Sequence, residues 1–467
     1  MYRLITCCIL LLGNGWLFGL GDYVLVDAIS IEGNRVTRDY IIKRELLFEV
    51  GDTIQVDQLA AVLEESEQRV LNTSLFNKVN IAFQDWEATT NHIKLNVEVE
   101  ETWYIYPIPL FELADRNFNV WWVEQDRDLN RLNFGLEFAH LNITGRKDKF
   151  KIKAEYGYTR QYSISYSMPF INRKRTVGLS FNTAYARNRE LNYQTIDNKQ
   201  AFYRSEDERF VYQRFSAESR VTYRPGFDFY HNFTARYHQN QIADTVASFL
   251  NPDFFLKERR LQRYFTLNYT FVYDTRDARP YPLTGNYLEV MLEKDGLGIF
   301  NDRDGLTFSA RFDQYLALAP RWHVGFSGKS KVSLIRSRQP YNDNRAIGFG
   351  RDFLHGYEYY IVDGLDMAYL KSVLRFSLWE NEVKFGKIMP IPAFRNMPIR
   401  LFLNLNNDFG YVNDPFEKEA NFLNNRLLWG AGLGLDIVLF YDKVLKIEYS
   451  FNHLFENGLF LHINLNI

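Results

Sequence analysis

From about residue 102 to the end of the chain, apolar and polar residues alternate with a period of two. Phe150, Ile152, Ala154, Tyr156 and Tyr158 interleave with Lys151, Lys153, Glu155 and Gly157. Phe265, Leu267, Tyr269, Phe271 and Tyr273 do the same with Thr266, Asn268 and Thr270, and Leu445, Ile447, Tyr449 and Phe451 with Lys446, Glu448 and Ser450. Successive side chains of a strand point to opposite faces, so each run predicts a strand with one apolar and one hydrated face. Sixteen such runs lie between 102 and 467. An even count puts both ends of a closed sheet on one side, and its connections should alternate short and long. Thr144-Gly145-Arg146, Asn172-Arg173-Lys174 and Pro225-Gly226 fall at one end; 188–205, 241–257 and 335–361 fall at the other. The stretch from Asn381 to Pro398 is long for the short-turn end.

Residues 22–101 follow a different pattern. Val24 to Ile31 reads as a strand ending at Gly33-Asn34, Thr37 is placed to cap a helix over Arg38 to Leu46, and Gly51-Asp52 turns the chain. Leu59, Val62, Leu63, Val70 and Leu71 recur near helical spacing and predict a helix over about Val56 to Leu71, followed by strands over Val79 to Phe83 and Ile93 to Val99. The expectation is a small α+β domain, 22–101, ahead of an all-β region, 102–467.

Composition decides what kind of β region this is. A soluble sandwich alternates too, but aromatic residues make up 16% of the chain, with 39 Phe and 30 Tyr, while mean hydropathy is only -0.31. A transmembrane barrel gives that combination, because its lipid face is apolar and its lumen polar. Residues 1–21 have the layout of a secretory signal, with Arg3 ahead of the apolar run Leu4 to Leu12 and the patch Trp16 to Leu20. No later stretch approaches the 18 apolar residues of a spanning helix. Cys7 and Cys8 would leave with the signal, so the mature chain would have no thiol, disulfide or cysteine metal site.

One stretch does not alternate: Arg345 to Gly364, RAIGFGRDFLHGYEYYIVDG. It is too long for a hairpin turn. With Phe349, Phe353, Tyr357, Tyr359, Tyr360 and Ile361 it is too apolar to remain solvated, so it should pack against something.

Within it, Leu354-His355-Gly356-Tyr357, preceded by Gly348-Phe349-Gly350, resembles the Val-Arg-Gly-Phe/Tyr loop of the outer-membrane protein assembly superfamily of BamA/TamA type, the bacterial surface antigen barrels. In that family the loop folds back into the lumen of a sixteen-stranded barrel. The family arginine is His355 here. Arginine is permanently charged, whereas histidine titrates near pH 6.5, so the departure implies a weaker or pH-dependent latch, with Arg351 as a substitute. The order β-α-α-β-β, with Glu32-Gly33-Asn34, Gly51-Asp52 and Leu75-Phe76-Asn77-Lys78-Val79 in place, resembles a polypeptide-transport-associated (POTRA) domain. Family members commonly carry several; this chain has room for one. Asp274-Thr275-Arg276-Asp277 with Pro282 and Gly285 resembles the family's Asp-x-Arg-Asp turn. Asn406-Asn407-Asp408-Phe409-Gly410 resembles its Phe-x-Asp-x-Gly strand, with Asn406 where the aromatic usually stands.

Parity then assigns faces. With Leu401, Leu403 and Leu405 outward, Asn404, Asn406 and Asp408 point inward; with Trp429, Leu433, Leu435, Ile437 and Leu439 outward, Gly430, Gly432, Gly434 and Asp436 point inward. Asp408 or Asp436 meeting His355 or Arg351 is the expected latch, beside a glycine track that lets the loop approach the backbone. A second expectation concerns the closing seam. Pro107 and Pro109 in the first strand cannot donate to a ladder, and their spacing removes hydrogen bonds along one edge. Facing the last strand, which runs from Gly458 to Ile467 with Leu459, Leu461, Ile463, Leu465 and Ile467 outward, they would leave a seam that parts and templates an incoming strand.

The resemblance implies an outer-membrane protein of a Gram-negative-type bacterium, its small domain in the periplasm, that inserts or translocates other polypeptides. Its partners would be unfolded outer-membrane or secreted polypeptides, outer-membrane lipid and, as a further option, accessory lipoproteins. A dedicated secretion pore and a passive pore or scaffold are the alternatives. A net charge of -2 gives no electrostatic case for nucleic acid. His231, His323 and His462 are scattered over different strands, and the chain has no Gly-x-Ser-x-Gly, His-Glu-x-x-His or phosphate loop. No enzymatic activity, cofactor or metal is expected.

Overall fold

The structure is a computed structural model. It describes residues 23–464 except 88–90, 173, 227, 385, 387–395, 417–420 and 440–442. The expected signal with Cys7 and Cys8, and the terminal Leu465 and Ile467, lie outside the described residues.

The chain divides into two compact units, one of residues 1–105 with 140–148, the other of 106–139 with 149–467. In the first, β1 (Tyr23–Glu32), β2 (Thr53–Gln55), β3 (Phe76–Glu87) and β4 (His92–Glu101) form a sheet of order β2-β1-β4-β3, crossed by α1 (Asp39–Lys43) and α2 (Val56–Leu71). The central pair, β1 and β4, is parallel and its neighbours are antiparallel. Alternation in β4 buries Ile93, Leu95, Val97 and Val99 against Val24, Val26, Ile42 and Val70. Gly33 has φ +91°, and a Cβ there would stand 1.9 Å from the Val99 carbonyl oxygen, so a turn glycine is required. Thr37 does not cap α1. The helix opens later, at Asp39, and Thr37 is buried with its hydroxyl 3.0 Å from Tyr104 Oη and accepting from Asn142 Nδ2 at 2.9 Å.

The second unit is a sixteen-stranded antiparallel sheet. Its strands are β5 (Ile105–Leu113), β6 (Leu132–His140), β7 (Lys149–Gly157), β8 (Thr159–Met168), β9 (Val177–Asn188), β12 (Tyr212–Tyr223), β13 (Phe229–Ile242), β14 (Leu261–Asp274), β15 (Gly285–Asp295), β16 (Gly305–Ala319), β17 (Trp322–Ser333), β20 (Asp366–Lys384), β21 (Asn396–Asn413), β22 (Leu427–Leu439), β23 (Lys443–Asn452) and β24 (Asn457–Asn464). Two short ladders sit in the long connections: β10 (Glu190–Ile196) with β11 (Lys199–Arg204), and β18 (Arg345–Ile347) with β19 (Val362–Asp363). Leu403, Leu405, Leu433 and Tyr449 are exposed, whereas Asn404, Asn406, Asp408, Asp436, Glu448 and Ser450 on the same strands are buried. That is the two-faced pattern of a barrel with a polar lumen.

Three local departures have simple causes. Tyr158 turns inward instead of outward: Gly157 at φ +128° ends the alternation, and the Tyr158 hydroxyl donates to Glu190 at 3.2 Å beneath the Arg131 guanidinium. The long connection between Asn381 and Pro398 is shorter than the sequence suggests, because β20 and β21 stay paired as far as Lys384 and Asn396. The turn after β14 is not a simple reversal. Its Tyr281 packs on Phe402, Val438 and Val444 of strands β21 to β23, and Arg375 donates to the Pro282 carbonyl at 2.6 Å. This turn therefore fills one end of the lumen.

Candidate functional site: a loop latched inside the barrel

The connection between β17 and β20 folds into the lumen, closed at its base by the β18–β19 ladder. Lys331 Nζ donates to the Arg345 and Gly364 carbonyls at 2.5 and 3.2 Å and so ties both ends of the loop to the barrel wall. Beyond the ladder, Gly348 N–H donates to Asp352 O at 2.5 Å and Asp352 N–H to Phe349 O at 3.0 Å, which makes a tight turn with Arg351 exposed at its tip. Arg351 therefore does not replace the family arginine. Its neighbour Asp352 is the residue engaged, at 2.6 Å from Lys329 Nζ and accepting from Tyr369 Oη at 3.1 Å.

The tetrapeptide follows. Leu354 is wholly buried among Ile347, Val412 and Leu428. His355 donates to Asp408 Oδ2 twice, from its backbone N–H at 3.0 Å and from ring Nδ1 at 2.7 Å, and its Nε2 lies 3.2 Å from Glu448 Oε2. Burial alone would strip the proton from this imidazole, but Asp408 foremost and then Glu448 outweigh it and push its pKa up to about 10. The substitution of histidine for arginine thus leaves a charged residue at neutral pH. Gly356 has φ +81° and touches the Phe451 backbone, and its carbonyl accepts from Asn452 Nδ2 at 2.7 Å. The Tyr357 hydroxyl clamps the Trp429 backbone, donating to its carbonyl at 3.1 Å and accepting from its N–H at 3.2 Å, and also meets His453 Nδ1.

The glycine track contributes at its loop-proximal end. A Cβ on Gly430 would stand 1.9 Å from the His355 carbonyl oxygen, whereas Gly432 and Gly434 face Ser450 and Glu448 of the neighbouring strand. Gly430→Ala should therefore displace the loop at a cost of about 1–3 kcal/mol, read as a lowered temperature for loss of heat-modifiable mobility. Asp436 does not meet the loop. It lies six residues along β22 from Gly430, about 20 Å at strand rise, and pairs with Lys446 at 4.0 Å near Tyr281.

Several residues of the site carry no motif. Glu448 accepts from Asn406 Nδ2 at 3.0 Å as well as meeting His355, and His462 on β24 sits 3.4 Å from both Glu448 and Glu358. Phe353 stacks on His462 with centroids 4.9 Å apart. One donor atom each from Glu358, Glu448 and His462 fall within 4.8 Å of one another, a donor set that would suit a divalent ion; the carboxylates already face the two imidazoles. From the connection between β5 and β6, Arg116 donates to the Gly348 and Tyr360 carbonyls at 3.2 and 3.0 Å, and Asn117 to the Glu358 carbonyl at 2.9 Å. The tip of the β10–β11 hairpin closes over the loop: Asn198 donates to the Ile361 carbonyl at 3.0 Å and accepts from Leu423 N–H at 2.9 Å. The sequence signals were faint. Glu448 has inward parity, and Asp197-Asn198 is a tight-turn pair.

The seam residues are placed at the ends of the sheet. Pro107 and Pro109 are exposed within β5, the last strand in the sheet order, and Gly458 lies at the start of β24, the first.

Comparison with known proteins agrees with this architecture. The profile of the Omp85 superfamily domain matches residues 142–366, and the POTRA profile, described as a surface antigen variable number repeat, matches 24–102. No curated protein matches the chain. Among solved structures, BamA from Haemophilus ducreyi lacking POTRA domains 1-3 superposes with a TM-score of 0.65 at 12% identity, over 94% of this chain and 83% of that one. CdiB from Escherichia coli superposes with a TM-score of 0.55 at 10% identity, over 94% and 75%. With a sixteen-stranded sheet that holds a latched internal loop, the chain carries one POTRA domain over 24–102 and an Omp85 superfamily domain over 142–366.

Proposed function

We propose that this chain inserts or translocates unfolded polypeptides at the outer membrane of a Gram-negative-type bacterium. The POTRA domain, on the periplasmic side, takes an extended client by strand addition to its sheet, and the client leaves at the seam between β5 and β24. The observation that carries this reading is the loop itself. A passive pore needs an open lumen, and here the lumen is occupied by a segment held by a buried ion pair, a tyrosine clamp and Arg116. The prolines of β5 support the seam, since Pro107 and Pro109 offer no N–H to a partner strand. Nothing in this scheme requires a nucleotide; the client's own backbone pairing and apolar burial would drive it.

The test is reconstitution in lipid vesicles with an unrelated unfolded barrel as client, its folding followed by heat-modifiable gel mobility. Faster client folding, abolished by a cross-link between β5 and β24, is the expected result. Vesicles that leak ions steadily and leave client folding unchanged would sink the proposal.

A further inference from the structure

The last strand offers its pairing edge, and that edge is already occupied. Backbone N–H and C=O groups of one residue in an antiparallel strand point to the same side. At Leu461 both are taken by a single side chain: the N–H donates to Asn119 Oδ1 at 2.9 Å and the carbonyl accepts from Asn119 Nδ2 at 3.2 Å. Leu461 stands opposite Ile447 on β23. Because its polar groups go to Asn119, they face away from β23, toward the seam. A side-chain carboxamide has the donor and acceptor of a peptide group, so Asn119 presents to β24 what a partner strand would.

The placement of Asn119 is built. It is 4% exposed, ahead of a single π-turn over Val120–Glu124, and that turn is capped by Asn117 Oδ1 accepting the Val120 N–H at 2.9 Å. Asn117 in turn holds the Glu358 carbonyl, and Glu358 faces His462, the residue next to Leu461. The stretch Asn117 to Asn119 therefore grips the lumenal loop with one asparagine and the edge of the last strand with the other.

We infer that Asn119 is a latch on the seam, a removable stand-in for one residue of an incoming strand that must leave Leu461 before β24 can template a client. The inference rests on the insertion reading above, in which the client leaves at the seam between β5 and β24. It adds a residue that sets how often that edge is available.

The experiment uses the full chain in lipid vesicles with the photoreactive p-benzoylphenylalanine at Leu459, which is exposed two residues from Leu461 on the same edge. The probe is a synthetic alternating nine-residue strand peptide. Releasing two hydrogen bonds should raise peptide labelling by roughly 5- to 30-fold in Asn119→Ala. Asn119→Asp keeps an acceptor for the N–H but sets a carboxylate against the carbonyl, and should also label more than the native chain. Heat-modifiable mobility checks that each variant is folded, and Asn119→Asp carries the comparison if Asn119→Ala is not. Equal labelling in native and variant chains overturns the latch, even where the native chain speeds client folding and the insertion reading stands. Raised labelling with no effect of the native chain on client folding supports the latch while the insertion reading falls.

Discussion

Asp408→Ala should open the barrel. In the native chain Asp408 is fully buried, accepts both the backbone and ring N–H of His355, and lies 3.8 Å from Lys371 Nζ. Deleting the carboxylate leaves His355 with Glu448 alone and takes from Lys371 the carboxylate beside it. Removing one partner of a buried pair costs about 3–5 kcal/mol, far more than the pair itself contributes over apolar packing. At about 1.4 kcal/mol per tenfold, the population with the loop displaced should rise by two to three orders of magnitude. Planar-bilayer recording should show the mostly closed native barrel replaced by sustained conductance, and limited proteolysis should cut within 345–364. Asp408→Asn keeps the shape and one acceptor and should fall between. An alanine variant as closed and as protease-resistant as the native chain would mean that the ion pair does not hold the loop.

The second large effect is alkaline release. The His355 pKa is raised from 6.5 to about 10, so the latched state binds this proton more tightly than the released state does. The stabilisation is then complete below about pH 6.5 and fades as the pH climbs through about 10. The titratable groups at the ring are Asp408 and Glu448, with Lys371 beside Asp408 and His462 beside Glu448. His355→Arg isolates the histidine from the rest, since a guanidinium keeps its proton throughout this range. Conductance measured from pH 7 to 10.5 should rise steeply for the native chain and stay flat for His355→Arg. Parallel curves would assign the transition to another group.

Much of this molecule was legible in its sequence, for reasons that also mark where legibility ends. The period of two is a property of the strand, so sixteen strands and their faces follow from it, and so does the inward position of Asp408. Parity fixes a face and not a height. Asp436 shares the face of Asp408 but sits toward the end filled by Tyr281, out of reach of the loop. Sequence spacing misled at Arg351, where the four-residue turn Phe349–Asp352 sends the side chain outward. His462 looked like a stray histidine on a distant strand. Curling the sheet brings its last strand to the loop, and no one-dimensional pattern carries that information. Asn119 is legible least of all, since its role depends on two backbone atoms of a residue 342 positions away.

The sockets of His355, Gly356 and Tyr357 all lie downstream of the loop. His355 waits for Asp408, 53 residues later, and Gly356 for Asn452, 96 residues later. Trp429, Glu448 and His462 arrive on the last three strands. Contacts of such separation form late, after shorter-range pairing has restricted the chain. A barrel folded only through β20 therefore carries its plug on the upstream ties of Arg116, Asn117 and Lys331, without the fastenings of the tetrapeptide. Completion of the sheet and full fastening of the tetrapeptide are then one kinetic event, and a chain stalled before β21 would be marked for any nearby protease by an aromatic loop held only from its upstream side.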